Sequence, residues 1–144
     1  MRSDAMGRVV VKARVQNLND LFKAREGQLK ENEVREIKVE DALLDSGATM
    51  LSLPRRLIKQ LGLKKVRTRS IRTAAGPAKM NIYDAVRLTI QGRDCTIDVG
   101  ELPNDCPALI GQVPLELMDF VVDPKGQKLI GNPEHGGEHV IDMF

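Results

Sequence analysis

The stretch Ala42-Leu43-Leu44-Asp45-Ser46-Gly47-Ala48-Thr49 runs an apolar strand straight into a carboxylate held on a turn of small residues. Asp and Ser bond their own backbone in tight turns and Gly accepts positive φ, so the tripeptide taken alone is turn punctuation more often than chemistry. Its surroundings shift that balance. Three apolar residues lead in, Ala48 keeps the next position small, and Leu51, Leu53 and Pro54 resume an apolar chain. A surface turn needs none of that packing. A carboxylate closing a buried strand, with a hydroxyl and a glycine behind it, is set up to activate water.

A second apolar run ending in glycine, Pro107-Ala108-Leu109-Ile110-Gly111, lies downstream, followed by the short amphipathic piece Val113-Pro114-Leu115-Glu116-Leu117-Met118. Together the two resemble the retropepsin-like, or retroviral-type, aspartic proteases. Their pattern is an apolar strand, Asp-Thr/Ser-Gly-Ala, a flap hairpin, an apolar-apolar-Gly segment and a short helix. The likeness runs in order from about Val34 to Asp123, and the chain from Phe120-Val121-Val122-Asp123-Pro124 onward looks like the tail of small prokaryotic single-domain members. The resemblance implies a mostly β fold, a closed acid-protease barrel with one or two short helices and one half-site per subunit.

The same resemblance assigns roles. Asp45 is the catalytic carboxylate, and Ser46 matches the hydroxyl position that braces two turns across a dimer; it stands where threonine is commoner, keeping the hydroxyl and losing a methyl. Gly47 lets the chain approach substrate backbone, and Ala48 and Thr49 complete the turn. Ile110 and Gly111 pack behind it, where glycine permits close backbone approach. For Leu109 and Ile110 plain core is the favoured role, with a substrate-pocket wall as the other. Ala75, Gly76 and Pro77 occupy the order position of the flap, with an ordinary hairpin turn an equal alternative.

Acid-protease chemistry requires two carboxylates close enough to share a proton, one ionised as base and one neutral as acid. This chain has a single Asp-Ser/Thr-Gly, since Asp41, Asp84, Asp98 and Asp119 lack the small-residue turn. A two-fold homodimer solves the shortage, because an isologous interface brings identical residues together on its axis. The expected protein is then a homodimeric aspartic endopeptidase that hydrolyses peptide or protein substrates and needs no cofactor or metal. The rival is a non-catalytic dimeric peptide-binding module with the same fold.

Composition agrees with one domain. A chain of 144 residues with 42% hydrophobic content can bury a sizeable core, and one Tyr, three Phe and no Trp make that core aliphatic. No apolar run approaches the roughly 18 to 20 residues of a membrane span, and no basic-then-apolar secretory start is present, so a cytoplasmic protein is expected. Cys95 and Cys106 are then reduced, separate and structural. His135-Gly136-Gly137-Glu138-His139 is disfavoured as a metal site, since the helical zinc motif places Glu directly after the first His and two glycines oppose a helix. Residues 1–72 hold 17 Lys/Arg against 9 Asp/Glu, whereas residues 73–144 hold 5 against 11. Arg55, Arg56, Lys59, Lys64, Lys65, Arg67, Arg69 and Arg72 form a run without an acid. Nucleic acid is disfavoured as its partner, because no aromatic residues that stack on bases lie there.

Along the chain, residues 1–5 read as a non-native or alternative start, 6–33 as an N-terminal strand and helix extension, 34–131 as the protease domain and 132–144 as a flexible tail. Arg8–Val15 is an expected strand, followed by a helix capped by Asn19 or Asp20. Strands are expected over Val34–Leu44, Leu51–Leu53, Val66–Thr73, Ala78–Ile90, Cys95–Val99, Ala108–Ile110, Phe120–Val122 and Lys128–Ile130. Helices are expected from Pro54 to Leu61, stopped by Gly62, and from Gln112 to Met118. Turns are expected at Ala74–Pro77, Gln91–Asp94 and Pro124–Gly126.

Overall fold

Strand β1 (Val9–Asn17) pairs on both sides, and this closes the sheet of the computed structural model, which describes residues 9–123, 125 and 128–140. After β1 come α1 (Leu18–Arg25), β2 (Glu36–Leu44), β3 (Leu51–Pro54), α2 (Arg55–Gln60), β4 (Lys65–Thr73), β5 (Gly76–Ile90), β6 (Arg93–Leu102), β7 (Leu109–Ile110), α3 (Gln112–Leu117), β8 (Phe120–Asp123) and β9 (Lys128–Gly131). The main sheet has the order β1-β2-β7-β3-β6-β5-β4, and β1 also pairs with β5. Six strands therefore form a ring, with β4 hanging from β5 as one arm of a hairpin. A bulge between Val11 and Ala13 bends β1 so that Arg14–Gln16 face β2 on one side and β5 on the other.

The mostly β fold is the expected one, and its interior is aliphatic. Val15, Leu51, Leu53, Val86, Leu88, Ile90, Val99 and Ile110 are each at most 1% exposed. Ile58 and Leu61 bring the apolar face of α2 onto the same core. Gly62 follows at φ +66, the left-handed stop that only glycine takes without strain. Free β4, exposed along nearly its whole length, is protected from edge pairing by Lys65, Arg67, Arg69 and Arg72.

Two local expectations are corrected. The cap of α1 is Asn17, whose side chain accepts from the Asp20 N–H at 3.0 Å. As the last residue of β1 it has the extended geometry a cap needs. Asp20, buried within the first turn, instead receives Arg35 Nε at 2.8 Å and Nη2 at 3.0 Å. That guanidinium holds its carboxyl below the usual range, against the opposing effect of burial. Pro54 ends β3 and caps α2 from outside, because its ψ of 148° is extended. At the C-terminus, residues within 132–140 bond Asp119. Asn132 Nδ2, the Val140 N–H and His135 Nδ1 all meet its carboxylate, the last at 2.7 Å. The alternative start at 1–5 and most of the tip Pro124–Gly126 lie outside the described residues.

Candidate active site

The Asp45 turn is tied to β7 and α3 by main-chain bonds. The Leu43 N–H donates to Ala108 O at 2.9 Å and the Asp45 N–H to Ile110 O at 3.0 Å, so Asp45 occupies the last rung of β2 against β7. Ala48 N–H closes the turn on Asp45 O at 3.0 Å, and Gly47 N–H donates to Asp45 Oδ1 at 3.0 Å. Beyond the turn, Gly111 N–H reaches Met50 O, Gln112 N–H reaches Ala48 O and Val113 N–H reaches Thr49 O, at 3.0, 2.9 and 2.9 Å. Two N–H groups at the start of α3, which no helical carbonyl could satisfy, thus anchor the turn.

Gly111 is required by this arrangement. Its φ is an ordinary −90°, but a Cβ there would lie 2.6 Å from Thr49 C and 2.7 Å from both Ala48 O and Met50 O. All three are backbone atoms, so no side chain could yield.

Register separates the two faces of the sheet. Leu44, Ile110, Leu51, Val99 and Tyr83 are successive cross-strand partners, and all belong to or pack on the core. Leu43, Leu109, Ser52, Gly100, Ile82 and Arg67 form the adjacent row on the opposite face. Asp45, two residues beyond Leu43, falls on that second side. Ile110 is therefore core, and half-buried Leu109 faces the way Asp45 does.

On the second face, Met50 and Met80 pack over Gly100, a cluster that the sequence did not announce. A Cβ on Gly100 would sit 2.5 Å from Met80 Sδ, 3.2 Å from Met50 Sδ and 3.2 Å from Ser52 Oγ. Two methionine sulfurs thus converge where Gly100 omits a side chain. A glycine inside an otherwise regular strand was the available signal, since it marks close approach. Alongside, Tyr83 Oη donates to Glu101 Oε1 at 2.5 Å and Arg55 Nη2 donates to Glu101 Oε2 at 3.1 Å. The Tyr83 hydrogen bond, opposed by burial and helped by Arg55, lowers the Glu101 pKa.

Asp45, Ser46 and Gly47 are exposed in the single chain. Among the described residues, nothing bonds Asp45 Oδ2 or the Ser46 hydroxyl. Other carboxylates are engaged elsewhere: Asp84 with the Lys64 N–H, Asp98 with Arg67, and Asp119 with the C-terminal segment. Four surface cavities of 430, 410, 450 and 250 Å³ have neither the Asp45 turn nor the β4–β5 tip on their walls.

The β4–β5 hairpin turns through Ala74 and Ala75, with Thr73 opposite Gly76. Thr73 Oγ1 donates to Gly76 O at 2.8 Å and receives the Ala75 N–H at 3.2 Å. Of Ala75, Gly76 and Pro77, then, Ala75 lies in the turn while Gly76, at φ +112, and Pro77 begin β5. No hydrogen bond among the described residues joins this tip to the Asp45 turn. His135 Nδ1 lies against the Asp119 carboxylate, and His139 Nε2 is 3.2 Å from Leu117 O.

A family model described as aspartyl protease matches residues 28–112, more than half of the chain and the whole interval from before β2 to the start of α3. Among solved structures the chain is similar to the simian foamy virus (mac) protease, at 19% identity and a TM-score of 0.45, over 74% of this chain and 91% of that one. No curated protein matches.

Proposed function

The chain belongs to the aspartyl protease family, and from that premise we propose that it is a homodimeric aspartic endopeptidase whose active site is the pair formed by Asp45 and the Asp45 of a second copy. One observation carries this reading. Asp45 is held rigidly by its N–H on Ile110 O and by Oδ1 on Gly47 N–H, while Oδ2 and the neighbouring Ser46 hydroxyl are left open to solvent. A half-site awaiting its other half has that form.

In the dimer one carboxylate is ionised and the other protonated, because two in contact cannot both hold a charge. The ionised Asp45 takes a proton from a water whose oxygen attacks the peptide carbonyl, as the protonated one gives its proton to the carbonyl oxygen. Collapse of the tetrahedral species breaks the C–N bond and returns a proton to the leaving nitrogen. Ser46 donates across the axis and braces the two turns, and Gly47 admits the substrate backbone. Ala48, Thr49, Ile110 and Gly111 hold each turn in place. The hairpin at Ala75, Gly76 and Pro77 closes over an extended peptide and bonds it as an added strand. The separate thiols of Cys95 and Cys106 favour a reducing, cytoplasmic setting.

The test compares wild type with Asp45→Asn on a denatured protein and a peptide library at about pH 4 to 6, where a shared-proton dyad is active. Cleavage by wild type and loss in the variant is the expected result. Equal cleavage by both sinks the proposal, and a monomer by sedimentation at working concentration sinks the dimer. Peptide binding without turnover at any pH would instead identify a binding module.

A further inference from the structure

We propose that Arg69 makes this protein selective for acidic peptides. Its guanidinium, on the inner face of the β4–β5 hairpin, takes a substrate carboxylate next to an apolar residue seated at Met50 and Met80. This rests on that hairpin acting as a flap over the Asp45 half-site.

The hairpin register fixes the faces. Arg67 stands opposite Ile82, Arg69 opposite Met80 and Ile71 opposite Ala78, and residues directly opposite share a face. Ile82 is 1% exposed and pairs with Gly100, over which Met80 Sδ lies. The face bearing Arg69 is therefore continuous with the row through Gly100, Ser52 and Leu109 on whose side Asp45 falls. Thr68, Ser70, Arg72 and Lys79 take the other face.

Of the two hairpin arginines on this inner face, Arg67 pairs with Asp98 at 3.3 Å. Arg69 is exposed, and no carboxylate or other acceptor among the described residues meets it. Its sequence neighbours Thr68 and Ser70 are neutral, and the run from Arg55 to Arg72 contains no acid that could be recruited.

Closure of the hairpin over a peptide would draw this guanidinium out of water. Against a neutral side chain it would be a partly desolvated, unpaired cation, which is unfavourable. Against Asp or Glu it gains two charge-assisted hydrogen bonds in its planar fork. Selectivity then arises from both the attraction and the penalty. The flexible thioethers of Met50 and Met80 fit varied apolar shapes beside it, so the preferred sequence is an apolar residue flanked by an acidic one.

Two pools of fluorogenic decapeptides test this. They share an apolar centre and differ only in Glu or Gln at the flanking positions, and both are cleaved at about pH 5.5, where Glu is ionised. Wild type should favour the Glu pool by about five- to tenfold in kcat/KM, mostly through KM. Arg69→Gln should level the preference and Arg69→Glu should reverse it, while Arg72→Gln on the outer face keeps it. Binding of the same pools to Asp45→Asn, read by anisotropy, should show the same ranking. Cleavage of both pools at equal kcat/KM overturns the role of Arg69 and leaves the protease intact, as does a preference lost equally in Arg72→Gln. Charge-ranked binding that Arg69→Gln levels, with no turnover by wild type, sustains Arg69 and overturns the protease. Neither binding nor cleavage overturns both.

Discussion

Gly111 donates its N–H to Met50 O at 3.0 Å and comes so close to the Asp45 loop that its missing side chain is part of the structure. Strands β2 and β3 are consecutive in sequence, yet β7 lies between them, parallel to one and antiparallel to the other. The chain between them must therefore arch over the end of β7, and it is this arch that carries Asp45. The Asp45 turn is thus the crossing point of three strands and a helix start.

Gly111→Ala should destabilise the protein by about 3 kcal/mol or more, because a backbone clash in a packed site is among the severe classes of substitution. The comparison is Gly27→Ala. There φ is +76 and nothing lies within 4 Å, so only about 1 kcal/mol of left-handed strain is expected. Chemical denaturation of both variants measures the difference. Similar midpoints would show that the arch can relax around a methyl group.

Asp119 should hold the C-terminal segment in acid. Burial alone would raise its pKa, but hydrogen bonds from His135, the Val140 N–H and Asn132 prevail and bring it from 3.8 down to about 2. A folded pKa below the unfolded one means that this stabilisation is complete above the unfolded value and is lost as pH falls through about 2. Hydrogen exchange over residues 132–140 should therefore stay slow at about pH 4 and rise near pH 2. Asp119→Asn tolerates the local φ of +57 yet removes the charge. It should expose the segment at neutral pH too.

Much of this architecture was legible in the sequence because its signals are local. An apolar run meeting Asp-Ser-Gly located the end of β2, Leu57, Ile58 and Leu61 announced one face of α2, and Ala74 to Pro77 announced a hairpin. What escaped is long-range. Asn17 caps α1 because β1 happens to deliver it there, and its Nδ2 is held by Leu61 O at 2.7 Å, 44 residues away. The bonds from Asn132, His135 and Val140 to Asp119 likewise join residues 13 to 21 apart. The Met50, Met80 and Gly100 cluster depends on the register of three strands, which no window of sequence contains.

The two thiols should differ in reactivity. Burial, with a smaller contribution from Asp94, pushes Cys95 up to about 11, and the side chain is only 8% exposed. Cys106 sits in the loop before β7 and is half-buried. At about pH 8 a thiol reagent should modify Cys106 promptly and reach Cys95 only on unfolding, since the thiolate is the nucleophile. Rapid titration of both groups in native protein would contradict the packing of β6 against the core.

Gly100→Ala should separate the methionine cluster from the arch. As at Gly111, a methyl group would enter crowded space, but the atoms it meets are Met80 Sδ, Met50 Sδ and Ser52 Oγ, all ends of side chains. The thioethers can swing away at little cost, and Ala spares the strand the entropy of glycine. Stability should therefore change by less than about 1 kcal/mol, in contrast to Gly111→Ala. If the two methionines part for an apolar substrate residue, KM for peptides should rise severalfold while kcat holds, because the lost contact is one made alike in ground and transition state. An unchanged KM alongside an unchanged fold would mean that substrate side chains do not enter between the two methionines, and that their cluster belongs to the hairpin's own packing.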